Sequence, residues 1–79
     1  MPAPKRLLIL IVAYNAEKTI TEVLARIPPA LRDEYHVEVL VLDDSSRDRT
    51  FEASRDARRD GVAAFPVHVL FNPDRKSVV

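Results

Sequence analysis

The chain has 79 residues, a formal net charge of zero, no cysteine and one glycine. A sequence this short forms at most one small domain, and its balanced charge argues against a general nucleic-acid or membrane-surface binder, since both need a basic face. The lack of cysteine excludes disulfides and cysteine-bound zinc, and one glycine cannot form the glycine-rich loops that cradle dinucleotides or phosphates. The apolar run at residues 7–13 is far shorter than the roughly 20 residues that span a bilayer, so we expect no membrane segment.

The first half of the sequence predicts a strand followed by a helix. Residues 6–13 form a continuous aliphatic run, the pattern of a strand that is covered on both faces. Apolar residues then recur at helical spacing, at Ile20, Val23, Leu24 and Ile27. Asn15 is the expected N-cap of this helix, and Glu17 is the expected acid of its first turn. The helix ends before Pro28, because the residue that precedes a proline avoids the α region.

The second half of the sequence predicts two more strands with a helix between them. The strand candidates, residues 37–42 and 67–71, are rich in aliphatic residues, and residues 48–59 form the helix, with Gly61 as its C-terminal cap. Strands that alternate with helices form parallel sheets with right-handed crossovers. We therefore predict an α/β fold with the order β-α-β-α-β, one half of a doubly wound, Rossmann-like sheet.

Polar and aromatic side chains follow the carboxyl end of each predicted strand. They are Tyr14, Asn15 and Glu17, then Asp43, Asp44, Ser45 and Ser46, then Asn72. Parallel strands gather these ends at one edge, where open α/β folds bind ligands. Adjacent carboxylates are unfavourable without a cation or hydrogen-bond donors nearby, so Asp43 and Asp44 predict a ligand. Tyr14 can stack on a flat base, a carboxylate can accept base N–H groups or ribose hydroxyls, and spare oxygens suit a divalent metal.

Several of these side chains also have a purely structural interpretation. Asn15 can serve only as a helix cap, Glu17 only through the helix dipole, and Ser46 only as a turn residue. His36 and His68 lie beside apolar strand residues, so we expect exposed strand positions rather than ligands.

Two segments resemble the sequence motifs of family-2 glycosyltransferases. Residues 11–20 (Ile-Val-Ala-Tyr-Asn-Ala-Glu-Lys-Thr-Ile) look like the opening motif, usually Pro-Ala-Tyr-Asn-Glu-Glu. Residues 41–50 (Val-Leu-Asp-Asp-Ser-Ser-Arg-Asp-Arg-Thr) resemble the second motif, Asp-Asp-Gly/Ser-Ser-x-Asp-x-Thr, and residues 69–72 are similar to the third strand with its terminal asparagine. Val12 replaces the usual proline, and Ala16 replaces the first glutamate. The branch that these motifs resemble most is the dolichol-phosphate-mannose-synthase-like one.

The resemblance implies a GT-A fold that binds a UDP- or GDP-linked nucleotide-diphospho-sugar. By analogy, the residues that bind it are Ala13, Tyr14, Asn15, Glu17, Asp43, Asp44 and Ser46, and Asp48 helps Ser46 to fix the second loop and cap the second helix. The family transfers the sugar to an acceptor, here a lipid phosphate or a polysaccharide of the cell envelope, with Mg²⁺ or Mn²⁺ bridging the diphosphate. Its metal-binding Asp-x-Asp and its catalytic base lie beyond the third strand, so the resemblance implies no catalytic residue and no metal ligand in this chain.

These features predict a part of a longer enzyme. We expect residues 1–73 to be the N-terminal, nucleotide-sugar-binding part of a truncated glycosyltransferase domain that is inactive alone. The parent enzyme is expected in the cytoplasm or at the cytoplasmic face of a membrane. Residues 74–79 match the translation of a common sequencing adapter and stand where another helix is expected, so we predict a non-native tail.

Two other functions, and an expressed remnant with no function of its own, are the alternatives. One is a non-catalytic α/β module whose acidic pocket binds Mg²⁺ or a protein partner, which would bind metal without any dependence on nucleotide. The other is an NAD-dependent oxidoreductase, which is excluded because residues 14–17 occupy the place of its glycine fingerprint.

Overall fold

A computed structural model describes residues 5–73 of the chain. The elements follow one another as β1 (Lys5–Ala13), α1 (Ile20–Ala25), a short 3-10 helix (Pro29–Asp33), β2 (Tyr35–Asp44), α2 (Thr50–Arg59) and β3 (Val67–Asn72). The strands form one parallel sheet in the order β1-β2-β3. The predicted α/β fold and its β-α-β-α-β order are therefore confirmed. The predicted tail at residues 74–79 lies outside the described residues.

Both helices pack on the same face of the sheet. Alternate residues of β2 point to this face, and Val39 and Val41 among them are fully buried. α1 adds Ile20 and Leu24 to the same core, and α2 adds Ala57. Two successive crossovers of one hand that advance in the same direction across a sheet place their helices on one side.

The opposite face of the sheet is covered by neither helix. It exposes large aliphatic side chains at Leu8 (59%), Leu10 (56%), Val12 (55%) and Leu70 (54%). The prediction that the first strand is covered on both faces is therefore wrong for the described chain. A continuous aliphatic run shows that both faces of a strand are apolar, but it does not determine how many covering layers the chain supplies.

α1 is shorter than its sequence pattern indicates. It begins at Ile20 and ends at Ala25, although Ile27 still belongs to the core. The prediction that Asn15 caps this helix and that Glu17 lies in its first turn is wrong, because both residues precede the helix. Their side chains accept hydrogen bonds from the loop before α2 instead. No helix within residues 5–73 has the length and apolar character that a membrane crossing requires.

α2 begins at Thr50, two residues later than predicted, and its C-terminus has a defined cap. Gly61 has a φ of 67°, in the left-handed region. The N–H of Gly61 donates to the carbonyl of Arg58 at 3.3 Å, and the N–H of Val62 donates to the carbonyl of Ala57 at 3.1 Å. This pair of bonds is a Schellman motif, which favours glycine at the left-handed position. The predicted cap at Gly61 is therefore confirmed.

Candidate functional site

The carboxyl edge of the sheet brings the ends of the three strands together. Ala13, at the end of β1, is the register partner of Asp43, and Asp44 is the register partner of Asn72. The sequence predicted that both acids would be the first residues of a loop. β2 instead continues through both of them, so they are strand residues. The three strand ends thus form one continuous edge at which residues from all three can act together.

Asp43 and Asp44 point to opposite faces of the sheet, because successive side chains on a strand alternate. Asp43 lies on the helix-covered face and is only 1% exposed, and its Oδ1 accepts the N–H of Ser46 at 3.0 Å. Asp44 is partly exposed on the other face, where its Oδ1 accepts the side-chain amide of Asn72 at 3.1 Å. The two carboxylates therefore do not face each other as like charges within one site. Their adjacency in the sequence is no evidence that they share a ligand.

Two loops leave this edge: loop 1 (residues 14–19) follows β1, and loop 2 (residues 45–49) follows β2. Each contains a non-glycine residue in the left-handed region, Asn15 with φ 50° and Ser45 with φ 59°. Such a conformation is uncommon outside glycine, although asparagine tolerates it better than most residues. The hydroxyl of Ser45 also donates to the carbonyl of Pro73 at 3.3 Å, which ties loop 2 to the end of β3.

Loops 1 and 2 bind each other through reciprocal hydrogen bonds between side chain and backbone. The N–H of Asn15 donates to Oγ of Ser46 at 2.9 Å. In return, the N–H of Arg47 donates to Oδ1 of Asn15 at 2.9 Å. The Asn15 side chain therefore satisfies a backbone donor of loop 2, which is why it does not cap α1.

The second half of this loop contact is centred on Thr50. Its Oγ1 accepts the N–H of Ala16 at 2.7 Å, and its hydroxyl donates to Oδ1 of Asp48. The N–H of Glu17 donates to Oδ2 of Asp48 at 3.2 Å, and the N–H of Arg49 donates to Oε1 of Glu17 at 3.3 Å. Thr50 itself is fully buried.

The donors around Asp48 favour its charged form. The Thr50 hydroxyl lowers the pKa of the Asp48 carboxyl below its ordinary value, and desolvation opposes this effect. The backbone N–H groups of Glu17 and Thr50 lower the pKa further. A carboxylate that accepts several hydrogen bonds loses them on protonation, which is the physical cause of the shift.

One comparison with known proteins identifies the class of the chain. Residues 8–78 match the family model described as Glycosyl transferase family 2. The chain belongs to this family. No curated protein and no solved structure gives a significant match. Both sequence motifs, at residues 11–20 and 41–50, lie in the matched range, and the three-stranded parallel sheet with two helices is consistent with a truncated, Rossmann-like GT-A half.

The seven candidate residues of this family-2 glycosyl transferase chain divide by burial and by contact. Those buried or bonded within the loop contact are Ala13, Asn15, Glu17, Asp43 and Ser46. Tyr14, which is 41% exposed, and Asp44, which is partly exposed and accepts the side-chain amide of Asn72, lie at the surface of the edge.

Sequence reasoning missed Thr50 as a member of the site. The sequence pattern placed Thr50 only inside the predicted helix of residues 48–59. The signal that could have found it is its place at the end of the second motif, two residues after Asp48.

The described residues do not fit the Mg²⁺ or Mn²⁺ that the glycosyltransferase resemblance implies. Within residues 5–73, no group of three or more His, Asp or Glu side chains could hold a metal ion. Asp43 and Asp44 point to opposite faces, and Asp43 is only 1% exposed, so the two acids do not form an open pair of ligands. The alternative function, an acidic pocket for Mg²⁺, is not favoured for the same reason.

Proposed function

We propose that this chain binds the nucleotide of a UDP- or GDP-linked nucleotide-diphospho-sugar at the carboxyl edge of its sheet. In this proposal it is the donor-binding part of a cytoplasmic glycosyltransferase of the dolichol-phosphate-mannose-synthase-like branch. The acceptor is a lipid phosphate or a polysaccharide. The divalent cation and the catalytic base come from outside the described residues, so the chain alone transfers no sugar. Family membership supports a glycosyltransferase function in general.

The observation that carries this proposal is that Tyr14 and Asp44 leave the same point of the sheet edge. Ala13 and Asp43 are register partners. Tyr14 follows Ala13 as the first residue of loop 1, and Asp44 follows Asp43 as the last residue of β2. An aromatic ring offers a stacking surface to any base. A carboxylate accepts hydrogen bonds from base N–H groups or from ribose hydroxyls. Together these two side chains have the chemistry that a nucleoside requires.

The other candidate residues shape the edge in this proposal. Asp43 is buried and fixes the turn through the N–H of Ser46. Asn15 and Glu17 hold loop 1 against loop 2. Their contribution to nucleotide binding is therefore indirect, through the position of Tyr14 and Asp44.

Titration calorimetry of the chain with UDP and with GDP tests the proposal. Asp44→Asn keeps an oxygen that can accept the Asn72 amide but removes the charge. We expect it to weaken nucleotide binding about tenfold, because hydrogen bonds to charged groups contribute ~1.5–3 kcal/mol. Tyr14→Ala should weaken binding by a similar factor through loss of stacking, which is worth ~1–3 kcal/mol per base.

The matched control is Asp33→Asn, which removes an exposed carboxylate from the 3-10 helix that precedes β2. This variant should bind nucleotide like the unmodified chain. The proposal is wrong if the unmodified chain binds neither UDP nor GDP, or if Asp44→Asn binds as tightly as Asp33→Asn.

A further inference from the structure

We propose that Thr50 is a positioning residue that fixes loop 1 against loop 2, so that Tyr14 and Asp44 meet the nucleotide together. This inference rests on the proposed nucleotide binding, and it adds a residue beyond the seven candidates. Thr50 touches no ligand in this proposal and acts through the backbone of loop 1.

The backbone of loop 1 is held by side chains at alternate positions of the second motif. Three consecutive N–H groups, of residues 15–17, donate to the side chains of Ser46, Thr50 and Asp48 respectively. These acceptors are spaced by two residues in sequence, which explains the pattern Ser-x-Asp-x-Thr in physical terms. The side chains of this motif accept hydrogen bonds from the backbone of loop 1, in addition to their role at the start of α2.

Thr50 differs from the carboxylate acceptor Asp48 because its hydroxyl both accepts and donates a hydrogen bond. It accepts the N–H of Ala16 at 2.7 Å and donates to the carboxylate of Asp48. A hydroxyl can do both, whereas a carboxylate can only accept. Thr50 thus links the backbone of loop 1 to the carboxylate that holds Glu17, and Ala16 is only two residues from Tyr14.

The burial of Thr50 makes this link sensitive to substitution. Thr50 is 0% exposed, so water cannot easily replace its hydroxyl. Without it, Oδ1 of Asp48 keeps the backbone N–H of Thr50 at 2.9 Å, but the N–H of Ala16 loses its partner, and an unsatisfied polar group in a partly buried place is costly. Loop 1 should then move until the N–H of Ala16 reaches solvent, which displaces Tyr14 relative to Asp44.

Three variants separate positioning from general stability. Thr50→Val keeps the shape of the side chain and removes the hydroxyl, while Thr50→Ser keeps the hydroxyl. Ser54→Ala is the matched control, because Ser54 is also fully buried on α2 and its hydroxyl donates within that helix, to the carbonyl of Thr50 at 2.8 Å. Each variant is examined by calorimetry with UDP and GDP and by amide hydrogen exchange of residues 15–17.

We expect Thr50→Val to weaken nucleotide binding about tenfold, which corresponds to ~1.4 kcal/mol, and to speed exchange of the Ala16 amide. Thr50→Ser should stay within about twofold of the unmodified chain in affinity. Ser54→Ala should lower the midpoint of thermal unfolding, while it leaves the nucleotide affinity and the exchange rate of the Ala16 amide unchanged. Should Thr50→Val fail to fold, Asn15→Gly provides the second variant. It tolerates the positive φ, removes the acceptor for Arg47 and should weaken binding in the same direction.

The proposal is overturned if Thr50→Val leaves the exchange rate of the Ala16 amide unchanged. It is also overturned if that exchange rate rises while the affinity for nucleotide stays the same. Equal losses of affinity in Thr50→Val and Ser54→Ala would also overturn it, since the effect would then be one of stability. If the unmodified chain binds neither nucleotide, the proposed function fails. Hydrogen exchange then tests only the contact between loop 1 and loop 2. Unchanged exchange of the Ala16 amide in Thr50→Val would contradict this contact. Faster exchange in Thr50→Val that returns to the unmodified rate in Thr50→Ser would support it.

Discussion

The two faces of the sheet have similar residues and different neighbours. On the face that α1 and α2 cover, Val39 and Val41 are fully buried, whereas Leu8 and Leu10 on the opposite face are more than half exposed. Both sets belong to equally apolar strand sequences. Hydrophobicity therefore determines which residues can form a core, and the side on which the crossovers run determines which of them do.

The same difference between the two faces applies to the two acids at the carboxyl edge of the sheet. Asp43, on the covered face, is buried and supports a turn, whereas Asp44, on the open face, is partly exposed beside Asn72. Two identical, adjacent side chains thus have different surroundings because strand geometry sends them to different faces. In the proposed function one acid is structural and the other contacts the ligand.

The sharpest test of the difference between the faces compares two leucines. Leu24→Ala, in the covered core, should lower the free energy of unfolding by about 2–5 kcal/mol, because it leaves a cavity among buried side chains. Leu10→Ala, on the open face, should change it by no more than about 0.5 kcal/mol. Urea denaturation measures both values. Equal losses would mean that the open face is also packed in solution.

A second test concerns the end of α2, where Val62 packs against the covered core. Gly61→Ala should lower the free energy of unfolding by about 1–2 kcal/mol, because an L residue is strained at positive φ. Steric contact adds nothing, since a Cβ at Gly61 would meet no atom within 4 Å. Gly61→Asn should lose less, because asparagine tolerates this region better. If both variants are as stable as the unmodified chain in urea, the cap does not hold α2 in place.

A third and smaller effect is the dependence of stability on pH through Asp48. Its pKa is lower in the folded chain than its ordinary value, so the unfolded chain binds more protons in this range. Stability should therefore rise with pH through the ordinary carboxyl range near about pH 4 and be lost as the pH falls through the lowered folded value. Asp48→Asn should flatten this part of the profile in thermal unfolding scans. An unchanged slope would show that the loop contact does not select the charged carboxylate.

Local signals in the sequence predicted much of the fold. Gly61 marked the end of α2 correctly, because a left-handed cap depends on the residue at that one position. The order of the strands and helices followed from apolar periodicity, which is also a local property. Asn15 was predicted wrongly as a helix cap because its actual acceptor role involves Arg47, which is distant in sequence. The open face and the opposed directions of Asp43 and Asp44 depend on topology and on the exact end of β2, which residue types do not specify.

The most direct measurement is a nuclear magnetic resonance titration of the isotope-labelled chain with UDP and with GDP. The proposed site predicts saturable shifts in the amide signals of residues 14–17 and 43–46, at the carboxyl edge. The signals of Gly61, at the far end of α2, and of Leu8, early in β1, should remain unchanged. Shifts spread over the open face, or no saturable shift with either nucleotide, would contradict nucleotide binding at this edge.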